Sequence, residues 1–311
     1  MSLLALQVDG LATVQDLGRH GWERFGVPVC GAMDGFALRA TNGLVGNPPE
    51  TAGLELALGE FTLLAEDDLL LAASGRGWRF TIGGRSLPLW MAAIARRGEI
   101  IHLQPEKTAG WVYLAVCGGI ATPPILGSRS TYLRGGFGGL EGRALQPDDR
   151  LPIGPHPGLF ELLKRAGTDL PPALHPAYAD HILLHIIPGP QADAFDDPSW
   201  QILLTSEYQL TDACDRMGYR LCGPQLQHHT SPDILSEGTP LGSVQVPGDG
   251  QPVILMADRQ TTGGYAKIGV LASADLPLLA QCPPGFGTVR FARTTQAEAA
   301  DRWRKLLSCF K

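Results

Sequence analysis

Residues 245–267 read QVPGDGQPVILMADRQTTGGYAK. The apolar run Pro252-Val253-Ile254-Leu255-Met256-Ala257 stops abruptly at Asp258-Arg259-Gln260-Thr261-Thr262-Gly263-Gly264-Tyr265, so a buried strand carries a dense polar cluster to its own end. Two glycines let backbone N–H groups come close to a ligand, and Asp, Arg, Gln and Thr supply both charge signs and several donors and acceptors. The competing reading is a strand, a solvated hairpin turn and a second strand.

The rest of the chain is punctuated in the same way. Among 311 residues there are 39 Gly and 25 Pro, with no G-X-Y period. That usage favours many short strands joined by tight turns. Residues 3–16 alternate loosely around Asp9-Gly10. From 53 to 155 a meander is expected, with strands at Leu54–Leu58, Phe61–Leu64, Asp68–Ala73, Arg79–Ile82, Ser86–Leu89, Ile100–Leu103 and Trp111–Val116. Short strands at this spacing indicate a barrel or sandwich. One helix is expected within 34–45, with Asp34 as its N-cap and Gly46 at its end. Another is expected at 296–311, with Ala297, Ala300, Trp303, Leu306, Leu307 and Phe310 on one face. The prolines between Pro155 and Pro176 predict a linker with a short helix at about 158–166. The expected organisation is a β-rich domain over 1–155, a Pro-rich linker over 156–179, and a second β-rich domain over 180–311 that carries the QTTGGY motif and the terminal helix.

Composition narrows the function. Charged residues make up 18% and the formal net charge is −6, with no run of Lys or Arg longer than two. A nucleic-acid groove or an anionic membrane surface would need clustered positive charge, so neither partner is expected. The N-terminus lacks a positive n-region and reaches Asp9 before an h-region could form, and no apolar stretch reaches 18 residues. A cytoplasmic location is expected. The six cysteines are spread without a CxxC pattern, so reduced buried thiols and no metal are expected, with a reservation for Cys214 beside charged residues.

Two further polar clusters accompany the opening stretch. In Thr13-Val14-Gln15-Asp16-Leu17-Gly18-Arg19, Gln, Asp and Arg fall within five residues. In Asp215-Arg216-Met217-Gly218-Tyr219-Arg220, two arginines and an Asp bracket a Gly-Tyr turn. The loop that runs from Leu126-Gly127-Ser128-Arg129 into Arg134-Gly135-Gly136-Phe137-Gly138-Gly139 offers amides and two arginines to an anion, or is simply a flexible connection. The sequence holds no G-x-S-x-G, no Walker loop and no Rossmann fingerprint. What remains are Asp, Arg, Gln, Thr and Lys side chains suited to a carboxylate, an amide or a phosphate.

The segments TVQDLGR (13–19), GAMDGFALRATN (31–42), DRMGYRL (215–221), SEGTPLGSVQVPGDGQP (236–252), DRQTTGGYAKI (258–268) and SADLPLLAQ (273–281) resemble the biotin-dependent carboxyltransferase family. Its members include the C component of bacterial ATP-dependent 5-oxoprolinase, the second component of allophanate hydrolase, an antagonist of a sporulation-kinase inhibitor (the KipI antagonist), and part of urea carboxylase. The resemblance implies a mainly β fold with a cyclophilin-like β-barrel. It also implies work in a heteromeric complex, beside partners like the A and B components of 5-oxoprolinase, that opens 5-oxoproline to L-glutamate with ATP. A non-catalytic antagonist binding a partner like the B component, or a component acting on urea-derived substrates, are the alternatives.

On the leading reading Asp258, Arg259 and Asp16 are the catalytic candidates. Gln15, Arg19, Arg216, Arg220, Gln245, Gln260, Thr261, Thr262, Gly263, Gly264, Tyr265 and Lys267 are the substrate-binding candidates, for a small amide or lactam. ATP would serve the complex at an unassigned place. The chain has no A/V-M-K-M tetrapeptide for biotin attachment. Where the family reads TTGGYPKI, this chain has Ala266 in place of proline, which loosens the turn without removing a functional group.

Overall fold

A computed structural model describes residues 1–310. The fold is mainly β, and the chain divides into two compact units. One contains Met1–Arg19, Cys30–His175 and Phe310; the other contains His20–Val29 and Pro176–Cys309.

The first unit holds two antiparallel sheets. In the five-stranded sheet the order is Leu11–Gln15, Gly53–Ala57, Val112–Val116, Leu69–Gly75 and Met91–Ala95. In the six-stranded sheet it is Arg150–Pro152, Ser2–Val8, Phe61–Ala65, Ile100–Pro105, Trp78–Ile82 and Arg85–Leu87. The expected meander is therefore present, with boundaries displaced by a residue or two. Leu3, Leu54, Leu56, Phe61, Leu63, Leu71, Phe80, Ile101, Leu103, Val112 and Leu114 form one core. Phe61–Ala65 alternates between buried and half-buried positions, as a strand with one covered face should. Val112–Val116 and Leu69–Gly75 are buried throughout. Their second face is covered by the helix Gly35–Val45, whose Leu44 and Val45 pack with Leu70, Ala72 and Ala115. That helix is capped as expected: the Asp34 side chain accepts from Ala37 N at 2.9 Å, and Gly46 ends it at φ 80°.

Two boundaries differ from those expected. Residues up to His175 belong to the first unit, because Leu162 of the helix Leu159–Arg165 is buried, Ala92 N donates to Thr168 O, and His175 stacks on Trp90. The stretch 156–175 is thus packed structure. Residues His20–Val29 belong to the second unit.

The second unit is a closed seven-stranded barrel. Around it run His181–Pro188, Lys267–Leu271, Ser243–Gln245, Val253–Leu255, Gly218–Cys222, Tyr208–Leu210 and Thr288–Arg293. The parallel pairing of Thr288–Arg293 with His181–Pro188 closes the ring. A two-stranded ribbon, Asp233–Gly238 with Thr262–Tyr265, stands apart from the barrel hydrogen bonding. The C-terminal helix Gln296–Leu307 starts on a capping box of Thr295 and Glu298. Its covered face follows the expected one from Trp303 onward, where Trp303, Leu306, Leu307 and Phe310 are half-buried; in the first turn Ala299 is buried in place of the expected Ala297 and Ala300, which are exposed.

Candidate functional site

The stretch 245–267 threads the barrel twice. Ser243–Gln245 and Val253–Leu255 are adjacent barrel strands; the chain then turns through 256–261, forms one strand of the ribbon, and re-enters the barrel at Lys267–Leu271. The polar cluster therefore does not sit on a simple hairpin. It lies where the chain leaves the barrel.

At this exit the two adjacent charged residues part company. Asp258 is buried, its N–H donates to Arg216 O at 2.8 Å, and its carboxylate receives Nε (2.9 Å) and Nη2 (2.8 Å) of the buried Arg216. Such a two-armed pair fixes the turn to the strand beginning at Gly218. Arg259 is held by Nε on Thr239 O at 2.8 Å, the Thr239 hydroxyl donates to Gln260 O, and Thr239 N donates to Thr261 O at 3.1 Å. These bonds fasten 259–261 to Thr239.

Arg259, Gln260 and Thr261 line a pocket of about 330 Å³ with Gly238, Thr239 and Glu23; Pro28, Val29 and Pro240 form its apolar walls. Glu23 escapes the sequence reading because it sits in a short 3-10 turn, Glu23–Phe25, with no periodicity or motif around it. Hydrogen bonds from its own N–H and from Gly21 N, the latter at 2.7 Å, hold its carboxyl below the usual range, and the charges of His20 and Arg259 act in the same direction. The pocket thus offers a cation, an anion, an amide and hydroxyl groups within one small volume.

Gln245 lies beside it, with Gln260 Nε2 3.4 Å from Gln245 Oε1. Gly263 fits here because it has no side chain: a Cβ would fall 2.6 Å from Gln245 Nε2 and 3.0 Å from Thr239 Cγ2. Gly264 has no such crowding, its nearest contact being 3.4 Å. The buried Lys267 places Nζ 2.6 Å from Glu237 Oε1, Gln191 Nε2 donates to Glu237 at 2.9 Å, and Lys267 N donates to Gln191 Oε1 at 3.2 Å. This network ties the ribbon to the barrel. Ala266 N donates to Pro232 O at 2.9 Å, so the departure from the family's proline supplies a donor that proline lacks.

Other candidates lie elsewhere. Arg220, Thr262 and Tyr265 are exposed and do not line the pocket. Gln15, Asp16 and Arg19 belong to the first unit. There Asp16 accepts from Gly18 N (2.8 Å), Ser128 Oγ (2.6 Å), Ser130 Oγ (2.5 Å) and Arg129 N (2.6 Å).

Residues 25–293 match the family described as carboxyltransferase domain, subdomain A and B, and the chain belongs to that family. The C component of the 5-oxoprolinase of Escherichia coli (strain K12) is 39% identical over 92% of this chain and 89% of that protein. The protein of the same name from Haemophilus influenzae is 38% identical over 96% of this chain and 94% of its own length. The crystal structure of the K. lactis urea amidolyase matches all of this chain with a TM-score of 0.90 at 26% identity, and the chain spans 20% of that protein. No helix among the described residues is long and apolar enough to cross a membrane.

Proposed function

We propose that the chain is the C component of an ATP-dependent 5-oxoprolinase, which opens 5-oxoproline to L-glutamate together with partners like the A and B components of that enzyme. The observation that carries this reading is the Arg259 pocket. A small lactam acid presents a carboxylate, a carbonyl oxygen and an N–H, and the pocket offers a guanidinium, amide and hydroxyl donors, and a carboxylate acceptor. The similarity to two proteins named as the C component of 5-oxoprolinase, over nearly the whole chain, supports it.

In this reading Arg259 binds the substrate carboxylate or steadies anionic charge that develops during ring opening. Gln260 and Thr261 orient the lactam carbonyl, and Glu23 accepts from the N–H. Asp258 acts as a positioning residue: both its oxygens are committed to Arg216. The same holds for Asp16, whose four accepted hydrogen bonds leave little capacity for proton transfer. Lys267 and Gln245 act through the ribbon and through Gln260 respectively.

The test is reconstitution with the two partner proteins and measurement of 5-oxoproline-dependent ATP hydrolysis and glutamate formation. Turnover that requires this chain and collapses in Arg259→Ala supports the reading. Stable assembly without 5-oxoproline turnover defeats it and favours a binding antagonist. Turnover of a urea-derived amide instead would favour the alternative suggested by the urea amidolyase likeness.

A further inference from the structure

Arg19 closes the segment Met1–Arg19 of the first unit and is 1% exposed. Its Nη2 donates to Ser130 O, and its guanidinium carbon lies 4.9 Å from the centre of the Phe137 ring. Nε and Nη1 have no hydrogen-bond partner, and Arg19 forms no ion pair among the described residues. The carboxylate closest in sequence, Asp16, is occupied by two serine hydroxyls and two backbone N–H groups. Gln15, fully buried, shows the complementary condition. Its Nε2 donates to Thr13 Oγ1 (3.1 Å) and Thr131 O (3.3 Å), while its Oε1 has no partner. The two side chains thus hang from the consecutive carbonyls of residues 130 and 131.

A buried cation without a counter-charge is strongly unfavourable, and a buried polar atom without a partner calls for a missing one. Water can satisfy the donors of Arg19 but cannot neutralise its charge. An oxyanion does both. Nη2 carries a second proton beside the one given to Ser130 O, so a flat carboxylate can lie along one edge of the guanidinium, taking that proton together with Nη1 or Nε. Gln15 Oε1 accepts only, so the ligand must bring an O–H or N–H of its own. The loop over Arg19 is built to approach it closely: Gly138 has φ +76°, and a Cβ there would fall 2.7 Å from Arg19 Nη2 and 2.1 Å from Ser130 O. Glycine at 138 allows Phe137 to roof the guanidinium.

We propose that Gln15, Arg19 and the Gly-rich loop carrying Phe137 form a binding site for a small carboxylate that bears a hydrogen-bond donor, such as an α-hydroxy or α-amino acid. It uses none of the residues of the Arg259 pocket and stands independently of the 5-oxoprolinase reading.

The test is thermal unfolding of the full chain in chloride, acetate and glycolate at matched ionic strength. Acetate should raise Tm over chloride and glycolate should raise it further, by about 3 °C at roughly tenfold excess over Kd. Arg19→Met should abolish both responses without lowering Tm in chloride, because it removes an uncompensated charge. Gln15→Leu should keep the acetate response and lose the extra effect of glycolate. No carboxylate-specific shift in the native chain, or one that persists in Arg19→Met, overturns the proposal. If Arg19→Met does not fold, Arg19→Lys takes its place, since lysine keeps the charge and loses the planar fork; an undiminished response there also overturns it.

Discussion

Asp258 pairs with Arg216, forty-two positions away in sequence, and not with its neighbour Arg259. Both partners are buried, at 6% and 5% exposure, and both arms of the guanidinium are engaged. Breaking such a pair leaves an uncompensated charge, whereas replacing both members with apolar residues costs far less. Asp258→Asn should therefore lower stability by about 3–5 kcal/mol, while Arg216→Met combined with Asp258→Leu should recover most of that loss. Urea unfolding of the three proteins checks this. Equal destabilisation by the single and double variants would sink the assignment.

Arg259 should behave in the opposite way. It sits half-buried on the pocket wall, held to the backbone at Thr239 O. Arg259→Ala should change stability by no more than about 1–2 kcal/mol, the scale of its hydrogen bonds to Thr239 O and Met256 O, yet reduce kcat/KM of the reconstituted complex by roughly a hundredfold or more. Arg259→Lys should recover only part, because the planar fork is lost. Glu23→Gln should raise KM for 5-oxoproline with a smaller effect on kcat. An unchanged KM in that variant would remove Glu23 from the binding surface.

The ribbon tether should be acid-sensitive. The hydrogen bond from Lys267 chiefly, and then that from Gln191, hold the Glu237 carboxyl below its usual value. A depressed folded-state value means that the stabilisation is present above the unfolded value of about 4.3 and is lost as pH falls through the folded one. Amides of Thr262–Tyr265 should lose hydrogen-exchange protection below about pH 4, relative to the barrel strands. Glu237→Gln should remove that pH dependence. A ribbon whose protection tracks the barrel at every pH would show that the tether is not what holds it.

Cys214, reserved in the sequence as a thiol beside charges, should be inert. Burial pushes its pKa up to about 11, with Asp215 adding to the effect. The thiolate is the reactive form, so native-state alkylation near pH 7.5 should label the exposed Cys222 well ahead of Cys214. Peptide mass spectrometry over a time course reads this order directly, and prompt labelling of Cys214 would contradict it.

Most strands of the first unit were legible because their covering is regular, Met91–Ala95 and Arg150–Pro152 being the exceptions. Phe61–Ala65 alternates with one face on the core, and Leu69–Gly75 reads as a continuous apolar run because a helix covers its other face. The barrel was implied by family resemblance more than by pattern, since its strands Ser243–Gln245 and Val253–Leu255 are only three residues long. Arg259, Gln260 and Thr261 were visible as a cluster at a strand end. Glu23 was not, because the pairing of a short turn with residues more than two hundred positions away leaves no trace in local spacing. The same limit hid the choice of Arg216 by Asp258. On the last helix Trp303, Leu306, Leu307 and Phe310 marked the covered face, and only its first turn was misassigned, because Ala carries too little hydrophobic signal to decide which of Ala297, Ala299 and Ala300 is covered.

The paired glycines of the QTTGGY stretch separate a steric requirement from a permissive position. A methyl group at 263 would lie 2.6 Å from Gln245 Nε2, 3.0 Å from Thr239 Cγ2 and 3.3 Å from Gln260 Nε2, all in or beside the Arg259 pocket. Gln245 and Thr239 are buried, so neither can swing freely aside. Gly263→Ala should destabilise by about 1–2 kcal/mol through overpacking and should also disturb Gln260 and Thr239, raising KM of the reconstituted complex. At 264 the nearest atoms are 3.4 Å and 3.5 Å away, ordinary contact distances. Gly264→Ala should therefore fold and turn over nearly as the parent does. Chemical unfolding together with steady-state kinetics on the two variants decides the matter, and equal effects at both positions would show that the glycines serve backbone conformation and not the packing of Gln245 against the pocket.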